Sequence, residues 1–124
     1  MKRLMLALAL AASPLAVVAH ESAKGPNGGP VADASGHHVE MVANGTELVL
    51  FLTGDADKPI ASAGTKSARA VVQDGGKTAT VPLQPADPNR LVGALPGPLG
   101  KGARVVVSAT MADGHAVQAR FVNN

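Results

Sequence analysis

The 124-residue chain reads as an all-β protein, a single immunoglobulin-like antiparallel β-sandwich of about seven strands. Three observations lead there. Short β-branched and leucine-rich runs are separated by Asn44-Gly45, Gly75-Gly76 and Asp113-Gly114, each a two-residue signal for a primed hairpin turn. Within the runs flanking these turns, apolar and polar residues alternate with the period of a half-buried strand. No helical period, internal repeat or second domain is visible.

The first hairpin joins residues 37–43 to 46–53. Counted outward from its turn, Val39, Met41, Leu48, Leu50 and Leu52 fall on one face, the core side, while His38, Glu40 and Val42 fall on the other. A short strand is expected through Pro59 and Ile60. The second hairpin joins residues 67–74 to 77–83, with Ala68, Ala70, Val72, Ala79, Val81 and Leu83 on one face. Arg69, Gln73, Thr78 and Thr80 share its other face, so the register sorts apolar from polar. Pro82 lies on the solvent side and marks an edge strand. A strand at residues 90–95 sits between loops 84–89 and 96–102, and the third hairpin joins residues 104–112 to 115–122.

Ahead of these strands, Lys2 and Arg3 precede an apolar stretch at residues 4–12, then small residues ending in Val17, Val18 and Ala19. This is the pattern of a cleavable export signal, with Val17 and Ala19 suited to the cut and His20 as the first mature residue. The apolar stretch is too short to cross roughly 30 Å of hydrocarbon as a helix, and no later one approaches the required length of about 20 residues. The expected organisation is a signal peptide at 1–19, a flexible Gly/Pro-rich segment at 20–36 and the sandwich at 37–124. The mature chain is expected to have no membrane span.

Removing Lys2 and Arg3 leaves nine basic against nine acidic residues, so the precursor's charge of +2 carries no message about partners. No basic cluster remains to neutralise phosphates, and nucleic acid is set aside as a partner. Cysteine is absent, which rules out disulfides and a lipid anchor on a mature N-terminal thiol. Phe51 and Phe121 are the only aromatics, so the stacking platforms used for sugars or bases are missing. No G-x-S-x-G elbow, H-E-x-x-H motif or phosphate loop occurs, and no carboxylate pair is placed by spacing. The chain is not expected to be an enzyme.

What remains is a set of metal-ligating side chains: His20, His37, His38, Glu40, Met41, Met111 and His115. His38 and Glu40 are same-face neighbours on one strand, about 7 Å apart along it, close enough to reach a single ion. His37 opens the same strand and can join from its end. The alternative is a solvated pair on an exposed strand face. Met41 falls on the core side, and Met111 and His115 flank the Asp113-Gly114 turn, where exposure is ordinary. His20, as a mature N-terminal residue, offers its α-amine and its imidazole Nδ1 together, a chelate that favours Cu(II) among divalent ions. Residues 25–30, Gly-Pro-Asn-Gly-Gly-Pro, cannot be helical and provide the turns that would bring His20 back to the first hairpin.

The run of residues 25–30, followed by His37-His38-Val39-Glu40-Met41-Val42 and the apolar residues 48–52, resembles small exported proteins of bacterial heavy-metal resistance loci. G-P-x-G-G segments also occur in periplasmic adaptor subunits of metal-efflux pumps. The likeness covers chiefly residues 20–60. It implies periplasmic handling of copper or another divalent metal. With His20, His38 and Glu40 as candidate ligands, the first reading is a metal-binding chaperone or buffer, and a periplasmic efflux adaptor is a candidate partner. His20 at the mature terminus is also similar to the N-terminal histidine ligand of CopC-type copper-resistance β-sandwiches. Two other readings stay open: a non-catalytic interaction module that docks on an efflux adaptor, and, ranked last for want of surface aromatics, a copper monooxygenase with a histidine brace.

Overall fold

The computed structural model describes residues 24–34 and 36–124, which form two antiparallel β-sheets packed face to face around one apolar core. The strands are β1 (Val31–Ala34), β2 (His37–Asn44), β3 (Glu47–Thr53), β4 (Ser67–Asp74), β5 (Lys77–Pro82), β6 (Gln84–Ala86), β7 (Arg90–Ala94), β8 (Arg104–Thr110) and β9 (Ala116–Val122). One sheet has the order β1-β2-β3-β7-β6 and the other β5-β4-β8-β9. A 3-10 turn at Asp55–Asp57 follows β3. No helix among the described residues is long and apolar enough to cross a membrane.

The second hairpin has the expected register, with Asp74 opposite Lys77 around Gly75-Gly76. In the first, Asn44 pairs with Glu47, so the turn falls on Gly45-Thr46 and the partners slip by two residues, which keeps each side chain on its expected face. In the third, Thr110 pairs with Ala116, so residues 111–115 form a longer connection in place of a two-residue turn at Asp113-Gly114. Val39 lies opposite Leu52 and Met41 opposite Leu50 across β2 and β3. Ala70 lies opposite Val81 and Val72 opposite Ala79 across β4 and β5. The inward face of the first sheet is leucine-rich, with Leu48, Leu50, Leu52 and Leu91 buried beside Val39 and Met41. The second sheet answers with smaller residues, among them Ala70, Val72, Val105, Val107, Val117 and Ala119, with Phe121 at one edge. Large residues on one sheet thus meet small ones on the other, which lets two aliphatic faces close without an aromatic centre. Ser62, fully buried in the connection from β3 to β4, donates its hydroxyl to the Ala86 carbonyl at 2.8 Å, so the long loop is tied to β6 without an unsatisfied polar group.

Pro82 is exposed on β5, an edge strand as its residue type requires. Pro59 makes an isolated bridge to Thr53 rather than a strand. Residues 84–89, expected as a loop, contain β6, which pairs with β7 through Gln84 opposite Val92 and Ala86 opposite Arg90. Its Pro85 is tolerated because β6 is the outer strand of its sheet. Between β5 and β6 the chain changes sheets, and it does so against Gly93. A Cβ on Gly93 would lie 2.7 Å from the Pro82 carbonyl oxygen and 2.8 Å from side-chain carbons of Val81 and Leu83. The absence of a side chain there is what admits the crossing.

The other departure concerns the N-terminal segment. Residues 20–36 were expected to be flexible, yet from Lys24 onward the described part is built into the first sheet. Lys24 bridges Pro30, and β1 then pairs with β2 from Val31 opposite Glu40 to Ala34 opposite His37. Ala34 is buried in the core. Residues 1–23, which include the expected signal peptide and His20, lie outside the described residues.

Candidate functional site

The candidate ligands of β2 are separated by the alternation of the strand. Val39 and Met41 point into the core, so His38, Glu40 and Val42 take the outer face and His37 the inner one, at the end of the sandwich. His37 and His38 therefore address different sides of the sheet. The expected grouping of both with Glu40 on one ion is not formed by these side chains.

Glu40 is on the outer face but is only 4% exposed, because residues 25–30 fold over it. Its Oε2 accepts hydrogen bonds from the backbone amides of Asn27 and Gly29, both at 2.9 Å, and its Oε1 accepts from Asn27 Nδ2 at 3.0 Å. The loop closes on itself through Gly28 N donating to the Gly25 carbonyl at 2.9 Å and Gly25 N donating to the Gly29 carbonyl at 2.8 Å. Met41 N donates to the Pro30 carbonyl at 3.0 Å and sews the loop to β2. A Cβ on Gly29 would overlap the Met41 carbonyl oxygen, and one on Gly25 would overlap the Glu40 carboxyl carbon. The Gly-Pro-Asn-Gly-Gly run is thus a cradle for one carboxylate. Both Glu40 oxygens are engaged by the chain itself, so the residue expected as an oxygen ligand serves as the anchor of the loop.

His38 has a different partner. Asp33 stands directly opposite it on β1, and His38 Nδ1 donates to Asp33 Oδ1 at 2.6 Å. With Nδ1 turned to the carboxylate, Nε2 is the nitrogen left to meet an ion; the pair is exposed, His38 at 43% and Asp33 at 85%. A carboxylate that orients a histidine in this way is the usual outer partner of a metal-ligating imidazole. Asp33 was not recognised from the sequence because its strand was not. The available signal was the alternation of polar Asp33 with Ala32 and Ala34 just before Gly36, whose φ of 82° turns β1 back into β2.

His37 meets His115 across the end of the sandwich, with ring centroids 5.2 Å apart and the rings inclined by 39°. His115 sits in the turn between β8 and β9. Its amide donates to Asp113 Oδ1 at 2.9 Å and its carbonyl accepts from Met111 N at 2.8 Å. Met41 and Met111 are both buried in the core and act as packing. Among the described residues, no three His, Asp or Glu side chains converge as a ready-made ion cage.

Comparison with protein-family models, curated proteins and solved structures finds no significant match to this chain.

Proposed function

We propose that this is an exported, periplasmic metal-binding protein that handles copper, or another divalent ion, as a chaperone or buffer in heavy-metal resistance, without catalysing a reaction. The observation that carries the reading is the Asp33–His38 pair, an imidazole on the outer face of β2 whose Nδ1 is engaged by a carboxylate of the edge strand β1. A second nitrogen source is needed, and the α-amine and imidazole of His20 supply it. His20 stands four residues before Lys24, a tether of at most about 14 Å when extended. That is about the length of the path from Pro30 to Ala34 along β1, so the terminus can reach the end of the sandwich where His38 lies. Strand order supports the immunoglobulin-like reading of the fold: β2-β3-β7-β6 over β9-β8-β4-β5 follows the A-B-E-D and G-F-C-C′ orders, with β1 added at the edge.

Copper titration of correctly processed protein tests the function. One extra residue ahead of His20 is expected to weaken Cu(II) binding most, and His38→Ala is expected to weaken it measurably. Asp33→Asn should cost about 10- to 100-fold in affinity, the usual effect of losing a ligand's orienting partner. Unchanged affinity in all three proteins would sink the assignment. Intact-mass measurement of protein recovered from the periplasm should give a chain beginning at His20, and a mass that retains Ala19 would remove the chelating terminus.

The second reading, a non-catalytic interaction module associated with a metal-efflux system, is favoured by the use of Glu40. Its carboxylate is consumed in holding residues 25–30, so the Gly-Pro-Asn-Gly-Gly run has a structural purpose that requires no metal. Failure of the mature protein to bind any divalent ion would favour this reading.

A further inference from the structure

We infer that His37 and His115 form a two-imidazole seat for an ion of tetrahedral preference, Zn(II) foremost, that bridges the two sheets. The inference rests on the metal-binding reading above but uses different side chains from the His20 and His38 assignment. The juxtaposition carries it: two imidazoles far apart in sequence meet at the end of the sandwich, at a separation that an ion shared between them would also give. An ion held about 2.0–2.1 Å from an imidazole nitrogen lies roughly 3.2 Å from that ring's centroid. Two imidazoles on a tetrahedral ion then have centroids about 5.2 Å apart, while adjacent positions of a square-planar ion would bring them to about 4.5 Å. The separation in the structure is 5.2 Å.

Both rings hang from fixed backbone. His37 is paired with Ala34 immediately after the β1–β2 turn, and His115 is held by an Asx turn from Asp113 and by Met111 N. His37 lies on β2 and His115 in the turn that enters β9, a strand of the opposite layer. An ion seated here would clip one layer to the other at the end where β1 runs beside β9. Two protein nitrogens fill half of a tetrahedron and leave two positions for water or an incoming ligand, an arrangement suited to an ion that must be passed on.

The experiment uses the processed full-length protein with Zn(II) and Co(II) as the probes. Co(II) is expected to give the intense visible bands of a tetrahedral site, and Zn(II) to displace it. In proton NMR the imidazole signals of His37 and His115 are expected to shift together during the Zn(II) titration. His37→Gln and His115→Gln should each lower Zn(II) affinity tenfold or more, on the order of what loss of even an outer partner costs. Lys77→Gln, at the exposed β4–β5 turn, should leave it within about twofold, well under that effect. A matching melting temperature for metal-free His115→Gln, whose side chain is exposed, shows that the fold is intact. Zn(II) affinity that survives both substitutions, or a weak octahedral Co(II) spectrum, would overturn the site and leave a plain contact between two aromatic rings. Cu(II) titration of the same His115→Gln protein keeps the two assignments apart, because the His20 and His38 site predicts no change there.

Discussion

Leu50→Ala is expected to destabilise the protein by about 2–5 kcal/mol, the range for emptying a leucine position in a core that cannot fully collapse. Leu50 is completely buried on β3, the central strand of the five-stranded sheet. It lies between Met41 on β2 and Leu91 on β7, both also buried. All three belong to hydrogen-bonded strands, so the backbone on either side is held at fixed spacing and cannot move in to fill the void. The opposite sheet offers mainly alanine and valine across the interface, with short side chains that do not reach into it. Urea unfolding should show a lower midpoint with an unchanged slope, the mark of lost stability rather than a changed unfolded state. Val122→Ala, at a side chain 49% exposed, serves as the control and should stay within about 0.5 kcal/mol. A loss below that figure for Leu50→Ala would mean that β3 is not the centre of the core.

The residues that made the sandwich legible were those where two kinds of signal coincide. Near Asn44-Gly45 the turn signal places the hairpin, and the alternation of Val39, Met41, Leu48, Leu50 and Leu52 assigns the faces. The faces agree with the structure, while the turn itself falls one residue later, on Gly45-Thr46, and the partners slip by two. The strands β1 and β6 escaped because each is only three or four residues long and owes its place to a neighbour. Gln84-Pro85-Ala86 has no intrinsic strand character, and it becomes a strand because β7 offers an unpaired edge. The candidate site was legible in its residue types but not in its pairings. Placing His38 and Glu40 on one face was sound, yet burial of Glu40 depends on a loop that returns from residues 25–30, a contact no periodicity encodes. His115 was set aside because turn residues are ordinarily solvated, and its meeting with His37 arises only when β9 is laid beside β1. Asp33 became visible as the partner of His38 only once β1 was recognised as a strand.

The cradle around Glu40 leads to the second large effect: Glu40→Ala is expected to cost about 2–4 kcal/mol and to release residues 24–34 from the sheet. Hydrogen bonds to a charged group contribute about 1.5–3 kcal/mol each, and Glu40 accepts three. The full sum is not lost, because once the carboxylate is gone the loop can lift and its amides can reach water. The loss is therefore bounded by the free energy with which residues 25–30 and β1 dock on β2. Glu40→Gln should cost less, on the order of 1 kcal/mol. Its amide oxygen can still receive the Asn27 and Gly29 backbone amides, and rotation of the Asn27 side chain can offer an oxygen to the new amide group. Gly29→Ala should reproduce the loss of Glu40→Ala through the backbone, since its added methyl overlaps the Met41 carbonyl oxygen and the loop must rise to admit it. If both substitutions act by the same undocking, the double variant should be little less stable than either single one, a departure from additivity that marks residues of one unit. Urea midpoints give the energies, and amide hydrogen exchange at residues 25–34 should accelerate in both single variants while the centre of β3 stays protected. Additive losses, or a single loss under half a kcal/mol, would mean that the loop and the carboxylate do not hold each other in place.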